Sequence, residues 1–293
     1  MHYKERMIHR LQEEFLIVGA HDMEELTKEG PRCNRNIEIS MDALPCLQYL
    51  PNVEHLILTS GYVSDPGDLQ FFTGLKIQSL EINYYAYDID VMTIDLSVFP
   101  VLELVFSRTQ YGFKNVAGCA SLQTLIVQEW LTEDLQALSS SSIKALEIFS
   151  IGKLKSLSGI ENMRHLVSLS VCNQRQLVNC SQLESLHLES LKIESCNKVD
   201  YSQFPVMPEL KVLYLSGKVR FPSIDFVFSV APNIEQLWLD HVVEDGDISR
   251  LLRLKHAVIY RDCRHYSHKD CQLPKVKESF QSKYLPMRFA ILP

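Results

Sequence analysis

The sequence predicts an α/β solenoid in which short parallel strands stack along one axis, joined by return segments, into a single curved sheet with a concave face. Three observations carry this prediction. A six-residue phrase (apolar, two free positions, apolar, one free position, apolar) recurs most clearly at Val53–Leu58, Leu122–Val127, Leu210–Leu215 and Ile234–Leu239, with further copies starting at Ile77, Val101, Ile143, Leu166 and, more weakly, Leu254. Its fourth position falls at Leu56, Leu80, Leu104, Leu125, Leu146, Leu169, Leu213, Leu237 and Ala257, in steps of 24, 24, 21, 21, 23, 44, 24 and 20 residues. Inside each phrase the apolar residues alternate as in a strand, so the fourth and sixth positions point inward while the third, fifth and seventh point outward. One such strand cannot bury its apolar side alone, whereas a stack of them shares one continuous core.

The step of 44 should hold one more copy. Leu188–Ile193 divides it into 22 and 22, whereas Leu183–Leu188 would give 17 and 27. A unit of 17 is shorter than the roughly 20–29 residues such repeats need, so the first register is preferred.

A phrase of the form LxxLxL recurring at this interval resembles the leucine-rich-repeat family. The resemblance covers residues 33–262, about 11 strands, and implies a non-enzymatic protein that binds a partner on its concave face. It places Cys196 where the family carries Asn or Cys. Elsewhere the asparagine that bonds neighbouring backbones is replaced, at Gly61, Tyr85, Thr109, Trp130, Ile151, Gln174, Lys218 and Val242. Without that ladder the convex side must satisfy its backbone groups by other means, so irregular turns are expected.

The elements follow in order. Residues 1–32 are expected to form a helical N-terminal cap: His2–Phe15 has Met7, Ile8, Leu11 and Phe15 at helical spacing, and Asp22–Lys28 reads as a second short helix ended by Gly30-Pro31. Asn36–Ile39 is the first strand. Met41–Tyr49 and Ser249–Leu254 read as short helical returns, while Asp65–Asp68 and Phe221–Ser223 carry turn chemistry. Ser139–Ser142 is a polar connection ahead of the strand at Ile143. Residues 263–293 leave the repeat, and Pro274, Pro286 and Pro293 with Phe280, Tyr284, Leu285 and Phe289 suit a short C-terminal cap over the last strand.

Composition restricts the function classes. Apolar residues make up 46% of the 293 and charged residues 22%, a globular balance. A net charge of −7 without a basic run argues against a nucleic-acid partner. No segment has the ~20 apolar residues of a membrane span. The charged start and the short apolar stretch Phe15–Ala20 do not make a signal peptide, so a cytoplasmic location is expected. Of the eight cysteines, Cys33/Cys46 and Cys263/Cys271 sit where exported repeat proteins close their ends with disulfides. Cys119, Cys172, Cys180 and Cys196 fall within the repeats at unrelated spacings, and reduced structural thiols are the preferred reading.

The outward positions supply the candidate site. Carboxylates recur at Glu38, Glu81, Glu103, Glu147, Glu194 and Asp240 against one cation, Lys192, an acidic groove suited to a basic protein. Tyr214, Trp238 and Tyr260 fall on consecutive strands, with Phe149 further back, and aromatics stacked in this way can anchor an interface. No P-loop, GxGxxG, HExxH, CxxC or nucleophile-elbow motif occurs. Cys263, His265, His268 and Cys271 could in principle offer metal ligands, but their spacing does not fit a zinc site and no cofactor is expected. Asn179-Cys180-Ser181 matches a glycosylation sequon, which needs export to be used. The expected function is an adaptor or an immunity-type inhibitor covering a protein partner; a secreted host-directed effector or receptor-like module is the alternative, and an enzyme using the Cys/His segment is disfavoured.

Overall fold

A computed structural model describes residues 16–19, 22, 24, 26, 35–59, 69–72, 74–83 and 93–276. The chain divides into two compact units, residues 1–122 and 123–293, each built on parallel strands. The expected helix at His2–Phe15, the turn at Asp65–Asp68 and the rings of the C-terminal tail lie outside the described residues.

In the first unit, β1 (Leu16–Val18), β2 (Asn36–Ser40), β3 (His55–Thr59) and β4 (Ser79–Asn83) pair in parallel in chain order; β5 (Ile94–Asp95) pairs apart with β7 (Phe113–Lys114), and β6 (Leu104–Thr109) adds to β4. The phrase sets the register. Ile37, Leu56 and Leu80 stand abreast, as do Ile39, Leu58 and Ile82, and all six are buried.

Two features of this unit differ from the sequence reading. Leu16–Val18 lies within the stretch read as helical, yet forms an edge strand in register with Ile37–Ile39, while Glu24 and Leu26 are helical. The second difference is a one-residue slip. Leu80 faces Val105, not Leu104, so Glu103 precedes β6 and is exposed, and Phe106 stands beside Glu81. Leu102 and Val105, both fully buried, fix this register. A shift of one residue exchanges the two faces of a strand, which is why Glu103 leaves the outward face. The same slip puts Ser107 at an inward position, where its hydroxyl donates to the Thr109 carbonyl at 2.6 Å.

Among the described residues the second unit holds seven strands in chain order: β8 (Thr124–Glu129), β9 (Ala145–Ile148), β10 (Ser168–Cys172), β11 (Ser190–Glu194), β12 (Val212–Phe221), β13 (Gln236–Val243) and β14 (His256–Ile259). Leu125, Leu146, Leu169, Leu191, Leu213, Leu237 and Ala257 form one inward row and are fully buried. Leu191 therefore occupies the place that the spacing of 22 and 22 gave it.

Among the described residues the returns include the 3-10 turns Met41–Tyr49 and Ser249–Arg253 and a helix that the sequence reading took only for turn chemistry at its start, α1 (Asp225–Val230). Several begin with the same device, in which an Asp or Asn side chain accepts from the amide two residues on. Asp95 accepts from Ser97, Asp134 from Gln136, Asn179 from Ser181, Asp200 from Ser202 and Asp247 from Ser249, at 2.8–3.1 Å. Such a side-chain bond mimics a backbone turn and starts a tight return without a helix. Asn179, read in sequence as a sequon, has this local role.

The ladder expected to be missing is rebuilt with other residues. Gln174, fully buried, donates through Nε2 to the carbonyls of Ser150 at 2.8 Å and Cys172 at 3.3 Å. Cys196 directs its thiol to the carbonyls of Val171 at 3.6 Å and Glu194 at 3.4 Å. At β14 the chain closes its own sheet edge. Ala257 N–H donates to the Pro274 carbonyl, Ile259 N–H to the Asp270 carboxylate, and Lys275 Nζ to the Ala257 carbonyl.

Candidate partner-binding face

Strand alternation decides which side chains share the open face of the second unit. Since Leu191, Leu213 and Leu237 point inward, their neighbours Lys192, Tyr214 and Trp238 stand abreast on the other side, with Val258 next in line on β14. Two residues further along come Glu194, Ser216 and Asp240, followed by Tyr260 beyond the end of β14.

These side chains form a connected layer. Lys192 Nζ lies 2.6 Å from a Glu194 oxygen and 4.8 Å from the centre of the Tyr214 ring. Tyr214 and Tyr260 are tilted rings with centroids 6.1 Å apart, and Trp238 packs on His256 at 4.8 Å. Asp240 accepts from Ser216 at 3.1 Å and from Arg261 Nε at 2.8 Å, while Arg261 also reaches the Gly217 carbonyl. Burial disfavours the Lys192 ammonium, yet the neighbouring Cys172, Glu194 and Glu147 more than offset it, so its pKa is raised. Burial likewise pushes the Tyr214 hydroxyl well above its usual range, and the ring stays neutral at any physiological pH.

The ten residues proposed from sequence are thus distributed as follows. Lys192, Glu194, Tyr214, Trp238, Asp240 and Tyr260 come together on β11–β14. Glu147 lies on β9 of the same unit, two strands away from β11, and Phe149 follows the end of that strand. Glu81 lies on β4 in the first unit, nearly buried, and Glu103 is off the face. The rings expected to be exposed are not equally so: Tyr214 and Trp238 retain 9% and 7% of their surface, whereas Tyr260 retains 41%.

The acidic character is also weaker than the residue types imply. Arg261, which sequence reasoning did not place on this face, neutralises Asp240 as Lys192 neutralises Glu194. Nothing in the phrase marks Arg261, because it follows the last position that alternation assigns. Across β9–β14 the carboxylates of Glu147, Glu194 and Asp240 therefore meet two cations.

The Cys/His segment is held by structural bonds. His265 Nε2 lies 2.9 Å from the Val243 carbonyl, and the Tyr266 hydroxyl accepts from the Val243 amide at 2.9 Å. Among the described residues no three His, Cys, Asp or Glu side chains gather where they could hold a metal ion. None of the helices among the described residues is long and apolar enough to cross a membrane.

Comparison with solved structures bears on the fold. The chain is similar to an internalin from Listeria monocytogenes, with a TM-score of 0.53 and 19% identity over 84% of this chain and 72% of that one. It also matches the mouse RP105/MD-1 complex, with a TM-score of 0.49 and 18% identity over 83% of this chain and 53% of that one. The fold is a leucine-rich-repeat solenoid. No protein-family model matches the chain, and comparison with curated proteins gives no match.

Proposed function

We propose that the chain is a non-enzymatic module that recognises a protein partner on the open face of β11–β14. One observation carries this reading: adjacent parallel strands hold Lys192, Glu194, Tyr214, Trp238, Asp240 and Tyr260 in register as one layer of charge and aromatic surface. Rigid strands fix such a layer with little entropy left to lose on binding. Tyr260 is the accessible anchor, and the more deeply set Tyr214 and Trp238 support it. Basic groups on the partner would compete with Lys192 and Arg261 for Glu194 and Asp240. Because those carboxylates are already paired, attraction by net charge adds little, and shape and aromatic contact decide affinity.

An adaptor or an immunity-type inhibitor, covering its partner in the cytoplasm, fits this surface. A reducing compartment is supported by Cys46, Cys119, Cys172, Cys180, Cys196, Cys263 and Cys271, all free thiols.

The test is affinity capture from the native lysate with three baits: the natural chain, Tyr260→Ala with Arg261→Ala, and Val206→Ala at an exposed position away from this face. A stoichiometric protein retained by the first and third baits and lost from the second supports the assignment. Equal capture by all three overturns it.

A further inference from the structure

We propose that the rim formed by the turns after β9, β10 and β11 and by the far end of β12 is a second docking surface, fitted to an acidic, partly apolar segment of a protein. It lies beyond the rows of the open face and does not depend on that assignment. Residues 150–155, 173–178, 195–200 and 217–222 carry Lys153, Lys155, Arg175, Lys198, Lys218 and Arg220 against Asp200, a balance of +5 in a chain whose net charge is −7. Lys155 pairs with Glu133, and Asp200 is engaged by the Ser202 amide and hydroxyl. The other five cations are exposed, and none has an ion-pair partner among the described residues.

Register gathers these cations into one strip. Leu146, Leu169, Leu191 and Leu213 stand abreast, and Lys153, Lys198 and Arg220 each come seven residues after their own leucine. At β10 that place is Gln176, with Arg175 beside it. The turns are tied to one another: Val178 N–H donates to the Lys155 carbonyl at 3.2 Å, Asp200 N–H to the Val178 carbonyl at 3.0 Å and Lys218 N–H to Asn197 Oδ1 at 2.8 Å. Neighbouring units of a sheet are about 4.8 Å apart, so like charges repel along the strip. Carboxylates bound it, Glu133 after β8 and Glu244 with Asp245 after β13.

The other side chains of the rim select the ligand. Ile151 and Val178, 54% and 46% exposed, stand among the cations and offer aliphatic contact. Single-stranded nucleic acid is held by stacking its bases on aromatic rings, and the one ring in these four stretches, Phe221, is buried. The net negative charge of the chain also repels a long polyanion. An acidic protein segment with interspersed apolar side chains uses both the charges and the aliphatic groups.

Fluorescence anisotropy on the full chain tests the rim, with a fluorescein-labelled peptide of repeated Glu-Leu-Glu units and a labelled oligothymidylate as probes. The natural chain should bind the peptide, and so should Lys76→Gln with Arg164→Gln and Arg253→Gln, which loses the same charge at exposed sites elsewhere. Lys153→Gln with Lys198→Gln and Arg220→Gln should bind it roughly tenfold more weakly, as the summed loss of three exposed ion pairs. Ile151→Ser with Val178→Ser should weaken the peptide and leave the oligothymidylate unchanged. Equal losses in the two charge variants, or no binding of the peptide by the natural chain, overturn the rim. Oligothymidylate bound as tightly as the peptide overturns the choice of a protein segment. The open face is decided separately, by capture with Tyr260→Ala and Arg261→Ala.

Discussion

Lys192 holds its ammonium 4.8 Å from the centre of the Tyr214 ring, one strand across the open face. The cation sits between that ring and the Glu194 carboxylate, so it is desolvated but doubly satisfied. Removing one partner differs from removing the cation. Glu194→Ala leaves a largely buried ammonium short of its counter-ion and should lower stability by about 1–3 kcal/mol, discounted because Glu194 is partly solvated. Lys192→Met keeps the packing and should change stability by less than about 1 kcal/mol. Urea unfolding of both variants gives the comparison, and the reverse order would refute this account.

Gln174 is a second point of leverage. Its buried amide donates to two carbonyls, so Gln174→Ala removes both bonds and should lower stability by about 2–3 kcal/mol in the same assay.

Gly152 lies against that group. A Cβ there would stand 2.4 Å from the Trp130 carbonyl oxygen and 2.5 Å from Gln174 Oε1, and the backbone contact cannot relax by a rotamer change. Gly152→Ala should lower stability by about 2–3 kcal/mol. Gly74, at φ +86°, has nothing within 4 Å of the place a methyl would take. The same change there should cost only about 1 kcal/mol, from backbone strain alone.

Acid sensitivity should trace to His241. It is buried, donates from Nδ1 to the Val219 carbonyl at 2.7 Å and lies against Tyr201 and Phe221. Burial lowers its pKa, with Arg261 adding to the effect, while the Val219 bond and Asp240 oppose it. The unfolded chain takes up the proton first as pH falls below about 6.5, so the stabilisation is present above that value and is lost as pH drops toward the folded pKa. His241→Asn keeps a donor near Val219 without a titrating ring. The fall in melting temperature between pH 7 and pH 5 should therefore be smaller in this variant; an unchanged fall would exonerate His241.

Thiol labelling should separate the cysteines by depth. Cys271 is exposed and Cys263 partly so, whereas burial pushes Cys196 up to about 12 and Cys172 and Cys180 higher still. Since the thiolate is the reactive species, a maleimide pulse at pH 7 should mark Cys271 first and leave Cys172, Cys180 and Cys196 untouched until urea is added, as read by peptide mass.

The strand rows were legible because burial repeats: a leucine every two dozen residues has one physical explanation, and even the doubtful copy at Leu188 was decided by unit length. The miss at Glu103 came from the same pattern. Val101, Leu102, Leu104 and Val105 are all apolar, so alternation fits two registers, and the choice was made by packing of Leu102 and Val105 with residues far away in sequence. β1 was hidden by brevity, since three residues show no period. The recurring Asp-x-Ser at Asp95, Asp200 and Asp247 was a readable signal for the returns that leucine spacing overshadowed. On the open face, alternation alone places Lys192, Tyr214 and Trp238 abreast, but neither the depth of Trp238 nor the presence of Arg261 is written in the phrase.

The bonds that Pro274, Asp270 and Lys275 make to β14 have a consequence for assembly. A parallel sheet that ends with free amides invites another chain to dock and extend it, the route to fibres and swapped dimers. Here the amides of Ala257 and Ile259 are already committed, so this end of the stack is terminated chemically as well as sterically. Asp270→Ala with Lys275→Ala should reopen it, converting a self-limiting fold into one with a sticky end.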